Sequence, residues 1–87
     1  MGIFDVMKVE IHLFAAARDA AGRSPVEVVI SEDASVADLR AALVQSIPEL
    51  KPLQASLLVA VNNQYAADDL LLKTNDEVAC FPPVSGG

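Results

Sequence analysis

The apolar residues of this chain change period in a set order, and that order limits the fold more than any other feature. Val9, Ile11 and Leu13 alternate with Lys8, Glu10 and His12. This is the two-residue period of a half-buried strand. Ala15 to Ala21 is rich in alanine and stops at Gly22, which reads as a short helical turn with a glycine cap. Val26, Val28 and Ile30 then alternate with Glu27 and Val29, a second strand and the hairpin partner of the first. Pro25 stands at its start, where a missing N–H does least harm. After Ser35 the period lengthens. Val36, Leu39, Leu43 and Ile47 recur at helical spacing, with Ala42 filling the stripe and Pro48 closing it. Ser35 and Asp38 form a capping-box start with Asp in place of Glu.

Glu49 to Ser56 reads as a loop. Leu57 to Val61 is a dense apolar run, expected as a central strand. Asn62-Asn63 supplies a turn from residues that tolerate positive φ. Gln64 to Ala66 is a short return strand, and Asp68 to Leu72 a loop with a single turn of helix. Lys73 to Asp76 is a polar turn before a last strand over Glu77 to Phe81. Two hairpin strands, one main helix and a final strand make an α+β layer pair. The order fits a β-grasp (ubiquitin-like) fold, a mixed sheet with one main helix packed across it. The last strand is expected to run parallel to the first at the middle of the sheet. Residues 7–81 form the domain, 1–6 read as an N-terminal extension, and 82–87 as an extended tail.

A chain of 87 residues holds one domain. Its 12 acidic against 6 basic residues leave a net charge of −6. Binding to nucleic acid through phosphates needs a basic face, so that class is set aside. An acidic carrier steered toward basic clefts on its partners is the more natural reading. With 1 Cys and 1 His, a disulfide, a multi-cysteine metal site or a Ser/Cys–His apparatus is hard to assemble, and no metal site is expected. No apolar stretch reaches the roughly 20 residues that span a bilayer. The first residues are short and acidic, unlike a signal peptide. No membrane role and a cytoplasmic location are expected.

The closing Pro82-Pro83-Val84-Ser85-Gly86-Gly87 carries the chemistry. Two prolines fix φ and lack N–H groups, so a strand cannot continue through them. They favour an extended path away from the domain. Beyond them the side chains shrink until two glycines remain, a pair able to enter a slot too narrow for any other dipeptide. At the end of that slot stands the α-carboxylate of Gly87. Conversion to an acyl-adenylate would give this poor electrophile a good leaving group. A sulfur donor would then leave a thiocarboxylate, and an amine an amide. The competing reading is a frayed terminus.

Leu13-Phe14-Ala15-Ala16-Ala17-Arg18-Asp19 with Gly22, then Val59-Ala60-Val61-Asn62, Asp76-Glu77-Val78-Ala79 and Phe81 through Gly87 resemble the small subunit of molybdopterin synthase, the MoaD-like family. The likeness runs from Met7 to Gly87, and the Pro-Pro-Val-Ser-Gly-Gly end is its most specific part. The resemblance implies a ubiquitin-like sulfur carrier without a cofactor of its own. An ATP-dependent activating enzyme (MoeB-like) would adenylate Gly87, and a sulfurtransferase would supply sulfur for a thiocarboxylate. The tail would insert into the large synthase subunit (MoaE-like), in a heterotetramer, to build the dithiolene of molybdopterin from cyclic pyranopterin monophosphate. Catalysis would then lie in the partners and not in this chain alone. The family often has Gly where Asn75 stands, and Asn too tolerates a left-handed turn. Other uses of the same tail remain: sulfur supply to thiamin (ThiS-like) or to tRNA, conjugation to a target lysine, or a plain spacer on a binding module.

Strand parity turns Phe14 and Phe81 away from the core, and by resemblance Tyr65 joins them. The three are expected to form an exposed patch that anchors a partner. A sealed sheet edge is the alternative. Cys80 shares the inward parity of Val78 and reads as a buried, inert thiol. His12, Arg18 and Asp19 read as solvated, and Asp68-Asp69 as too poor a ligand set for a cation.

Overall fold

The computed structural model describes residues 5–83. β1 (Val6–Leu13) buries every second residue, Met7 through Leu13, and starts one residue earlier than expected. It pairs antiparallel with β2 (Val26–Ser31), whose Val26, Val28 and Ile30 are buried in turn. Between them α1 (Ala15–Ala21) ends on Gly22, whose φ of 79° lets its N–H reach Arg18 O at 2.8 Å. Glycine reaches that left-handed conformation without the steric cost a Cβ brings.

α2 (Val36–Ser46) buries Val36, Leu39 and Leu43. Its first turn carries the expected capping box. Asp38 N–H donates to Ser35 Oγ at 3.2 Å, and Ser35 N–H to Asp38 Oδ2 at 3.0 Å. Beyond Ile47, the loop expected over Glu49 to Ser56 is in part a 3-10 helix, Pro48–Leu53. Pro48 suits a first helical position, and Leu50 points fully into the core, which ties the segment down.

β3 (Leu58–Val61), the turn Asn62-Asn63 (φ 53° and 70°) and β4 (Gln64–Tyr65) form a tight hairpin. Two left-handed central residues match the strand twist, which is why Asn stands at both. Asp68 to Leu72 holds no helical turn. Leu71 instead bridges to Ser35, and Val36 N–H donates to Leu70 O at 2.9 Å. The free N–H groups at the start of α2 draw this segment into extended contact. β5 (Val78–Phe81) completes a five-stranded sheet in the order β2-β1-β5-β3-β4, with β5 parallel to β1 and antiparallel to β3. This is the β-grasp arrangement. One face of the sheet and the stripe of α2 enclose an aliphatic core that includes Ile11, Leu13, Leu39, Leu43, Val59 and Val78. No polar or charged side chain is buried among the described residues. Each Leu, Ile or Val removed from water contributes about 1.5–3 kcal/mol.

Candidate functional site

The geometry of the site begins with β5, which is held on both sides. Leu13 lies opposite Cys80 in the parallel pairing, and Leu58 opposite Phe81 in the antiparallel one. A strand with two neighbours is a rigid base, and the tail starts from its end. Pro82 is half-buried and Pro83 exposed, and neither offers an N–H to extend the ladder. Val84, Ser85, Gly86 and Gly87 lie outside the described residues, as do residues 1–4.

Along β5, Val78 and Cys80 enter the core, while Ala79 and Phe81 take the opposite face. That face gathers the three aromatic side chains singled out in the sequence. The rings of Phe14 and Phe81 meet edge to face at 6.3 Å and 72°, and those of Tyr65 and Phe81 at 5.7 Å and 59°. Phe14 is 50% and Tyr65 73% exposed, with Phe81 half-buried between them. Together with Ala60, Asn63 and Ala79 they line an open depression of about 360 Å³. Ala60 and Ala79 face each other across β3 and β5, and their small side chains leave the floor low. The sequence alone assigns no role to Ala60 or Asn63. The signal for Ala60 was its opposite parity to Val59 and Val61 within an apolar run.

Two local devices set the aromatic cluster. Phe14 N–H donates to Cys80 O at 3.1 Å, which pins the end of β1 to β5. Ala15 then takes a φ of 54° and turns the chain sharply into α1, leaving the Phe14 ring proud of the sheet. Nothing in the alanine-rich run signalled that left-handed residue. At the other end of β5, Asn62 does more than turn. Its N–H donates to Glu77 O at 2.8 Å, its Oδ1 accepts from Glu77 N–H at 3.0 Å, and its Nδ2 donates to Asp76 Oδ1 at 3.0 Å. The strand that carries the tail is thus clamped at its start by a side chain from the neighbouring hairpin.

Of the other candidates, His12 borders this cluster, lining a neighbouring depression with Phe14, Ala60, Asn63 and Ala79, and the rest stand apart from it. Burial pushes the Cys80 thiol up to about 11, against a weaker opposing pull from Arg40, so the thiol stays protonated. A buried thiol in that state is a poor nucleophile. His12 lies on the solvent face with Nε2 at 3.5 Å from Glu10 Oε1. Asp68 accepts from Arg40 Nε at 2.9 Å, and Arg18 and Asp19 are exposed. Among the described residues no three His, Cys, Asp or Glu side chains cluster for a metal, and no helix is long and apolar enough to cross a membrane.

Comparison with known proteins covers the whole of this arrangement. Residues 11–87 match the ThiS family. The chain is 32% identical over 83 residues to the molybdopterin synthase sulfur carrier subunit of Chlamydomonas reinhardtii, across 93% of this chain and 100% of that one. It is 37% identical over 87 residues to small archaeal modifier protein 1 of Haloferax volcanii, across 91% of this chain and 100% of that one. A crystal structure of the Haloferax protein superimposes with a TM-score of 0.82 at 34% identity, over 90% and 99% of the two chains. A second similar structure is a protein–protein complex of subunits 1 and 2 of the molybdopterin-converting factor from Helicobacter pylori, at a TM-score of 0.66 and 26% identity, covering 93% and 100%. A match that runs from the first strand through the aromatic cluster to the last glycine places this chain in the ThiS family, whose MoaD-like members its tail resembles.

Proposed function

We propose that this chain is the sulfur carrier subunit of a molybdopterin synthase and that Gly87 is its reactive end. A Gly87 carboxylate oxygen attacks the α-phosphorus of ATP on an activating enzyme, and pyrophosphate leaves. Sulfur at the sulfide level, supplied by a sulfurtransferase, attacks the acyl carbon, and AMP leaves a thiocarboxylate. In a pocket of the large synthase subunit the thiocarboxylate sulfur attacks an oxygen-bearing side-chain carbon of cyclic pyranopterin monophosphate. The carbon–sulfur bond forms as that carbon–oxygen bond breaks, its oxygen leaving as water or on the phosphate. Water then cleaves the acyl–sulfur bond, which leaves sulfur on the pterin and restores the carboxylate. Two rounds supply both dithiolene sulfurs. Phe14, Tyr65 and Phe81 serve as the partner anchor, and Pro82 through Gly86 as the inserting tail.

One observation carries the reading: the doubly paired β5 ends inside an exposed aromatic cluster, so the tail leaves from an apolar surface fit to be covered by a partner. The identity to carrier subunits supports it, and the Helicobacter complex supports a large-subunit partner. The test is deletion of Gly87. Dithiolene formation by the reconstituted synthase should fall to background, while the melting temperature and binding to the large subunit persist. Retained activity in the shortened chain would refute the proposal.

A second reading follows from the 37% identity to an archaeal modifier protein: an amine in place of sulfur takes the acyl carbon, and Gly87 ends as an amide on a target lysine. Mass spectrometry of protein from cells separates the two. A carrier shows replacement of one terminal oxygen by sulfur, and a modifier leaves Gly-Gly remnants on other chains.

A further inference from the structure

We propose that the open edge of β2, with the groove between it and α2, binds an extended segment of another protein whose chain is apolar at its centre and basic at its flanks. Among the described residues β2 ends the sheet order and pairs with β1 alone. Glu32 N–H donates to Asp5 O at 3.1 Å, in register with the β1–β2 ladder. In an antiparallel ladder hydrogen-bonded pairs alternate. Val26, Val28 and Ile30 therefore turn their backbone groups to β1, and Glu27, Val29 and Ser31 turn theirs outward. Ser31 O is taken by Ala34 N–H at 2.9 Å. The N–H and C=O of Glu27 and Val29 and the N–H of Ser31 are left facing the open edge, as a template for one more strand.

A strand added there lays alternate side chains on the two faces of the sheet. Along the edge they meet a groove of about 480 Å³ whose lining includes Ile30, Ala34, Asp33, Asp38, Ala42, Val6 and Val29. Val29 and Val6 are 59% and 56% exposed. Apolar side chains suit both. Charge selects the flanks. The groove holds two carboxylates and no basic group, and Glu27 and Glu32 stand exposed along the same edge. A second copy of this chain would bring another net −6 against that edge, so a basic partner is the better complement. The site lies two strands, about 10 Å, from β5. That separation lets this partner bind while the tail is engaged elsewhere.

The test titrates the isotope-labelled full chain with two peptides. One has a Val-Ile-Val-Ile centre flanked by lysines, and the other carries glutamates in their place. The basic peptide should shift amides over Val26 to Asp33 and Asp38 to Ala42 and slow exchange at Glu27 and Val29. It should bind about ten-fold tighter than the acidic peptide at low salt, with the preference shrinking at about 1 M salt, where the screening length is about 3 Å. Val29→Pro removes an outward N–H and should abolish binding. Asp33→Lys tests the charge without touching the edge and should erase the preference for the basic peptide. Equal affinity for both peptides, shifts centred on Phe14 and Tyr65, or β2 shifts caused by raising the protein's own concentration with a dimer in sedimentation would overturn the proposal.

Discussion

Phe14 and Phe81 stand at opposite ends of the chain yet meet edge to face with ring centres 6.3 Å apart. The parallel pairing of β1 and β5 brings them there, because Leu13 lies beside Cys80 and the next residue of each strand turns to the same face. An aromatic pair of this geometry contributes about 0.5–1.5 kcal/mol beyond its buried area. Phe81→Ala should therefore lower stability only modestly. It should weaken capture of the large synthase subunit by about 10–100-fold, as expected for a central anchor. Calorimetric titration measures this, and an unchanged affinity would remove the cluster from the interface.

Cys80 gives a pH signature. Its folded pKa, raised by burial to about 11, lies above the ordinary thiol value of 9.0. The unfolded chain thus loses its thiol proton first as the pH rises. The contribution is complete below pH 9 and is lost as pH climbs through 11, amounting to about 2–3 kcal/mol. Denaturant melts at pH 8 and pH 11 should show this loss in the native chain. The difference should be absent in Cys80→Ala, which removes the titrating thiol.

Arg40 ties α2 to two loops. Its Nε donates to Asp68 Oδ1 at 2.9 Å and its Nη1 to Gln54 O at 3.1 Å. Asp68 is well exposed, which limits the pair. Arg40→Met keeps the apolar stem and should cost about 1 kcal/mol, or about 4–8 °C in melting temperature. Hydrogen exchange should quicken first near Gln54 and near Asp68. A uniform change over all strands would contradict this local role.

Asn62 can be separated into backbone and side-chain parts. Asn62→Gly keeps the left-handed turn and loses the bonds to Asp76 and to Glu77 N–H, at about 1 kcal/mol. Asn62→Ala adds a left-handed Cβ penalty of about 1–2 kcal/mol. Chemical denaturation should rank native, Gly and Ala in that order, and equal stability of Gly and Ala would disprove the split.

Ala15 holds φ at 54°, a left-handed conformation that its Cβ makes costly and that glycine adopts freely. Ala15→Gly should raise stability by up to about 1 kcal/mol, less its cost in helix propensity. A fall in melting temperature would show that this turn is not strained.

The local elements were legible because each is written in near neighbours. The inward set of β1, the Ser35–Asp38 cap, the Gly22 stop and the Asn62-Asn63 turn depend on residues a few positions apart. Period and parity also turned Phe14 and Phe81 outward and Cys80 inward, and the resemblance added Tyr65. What sequence could not supply was set by distant partners. Leu50 ties Pro48–Leu53 into a 3-10 helix by entering the core, and Leu71 is held extended by Ser35 rather than coiling. The left-handed Ala15 beside the Phe14–Cys80 bond, the low floor of Ala60 and Ala79 and the Asn62 clamp arise only once β5 lies between β1 and β3. Local propensity and periodicity act through adjacent residues, whereas register and packing are decided by groups that only the folded chain makes neighbours.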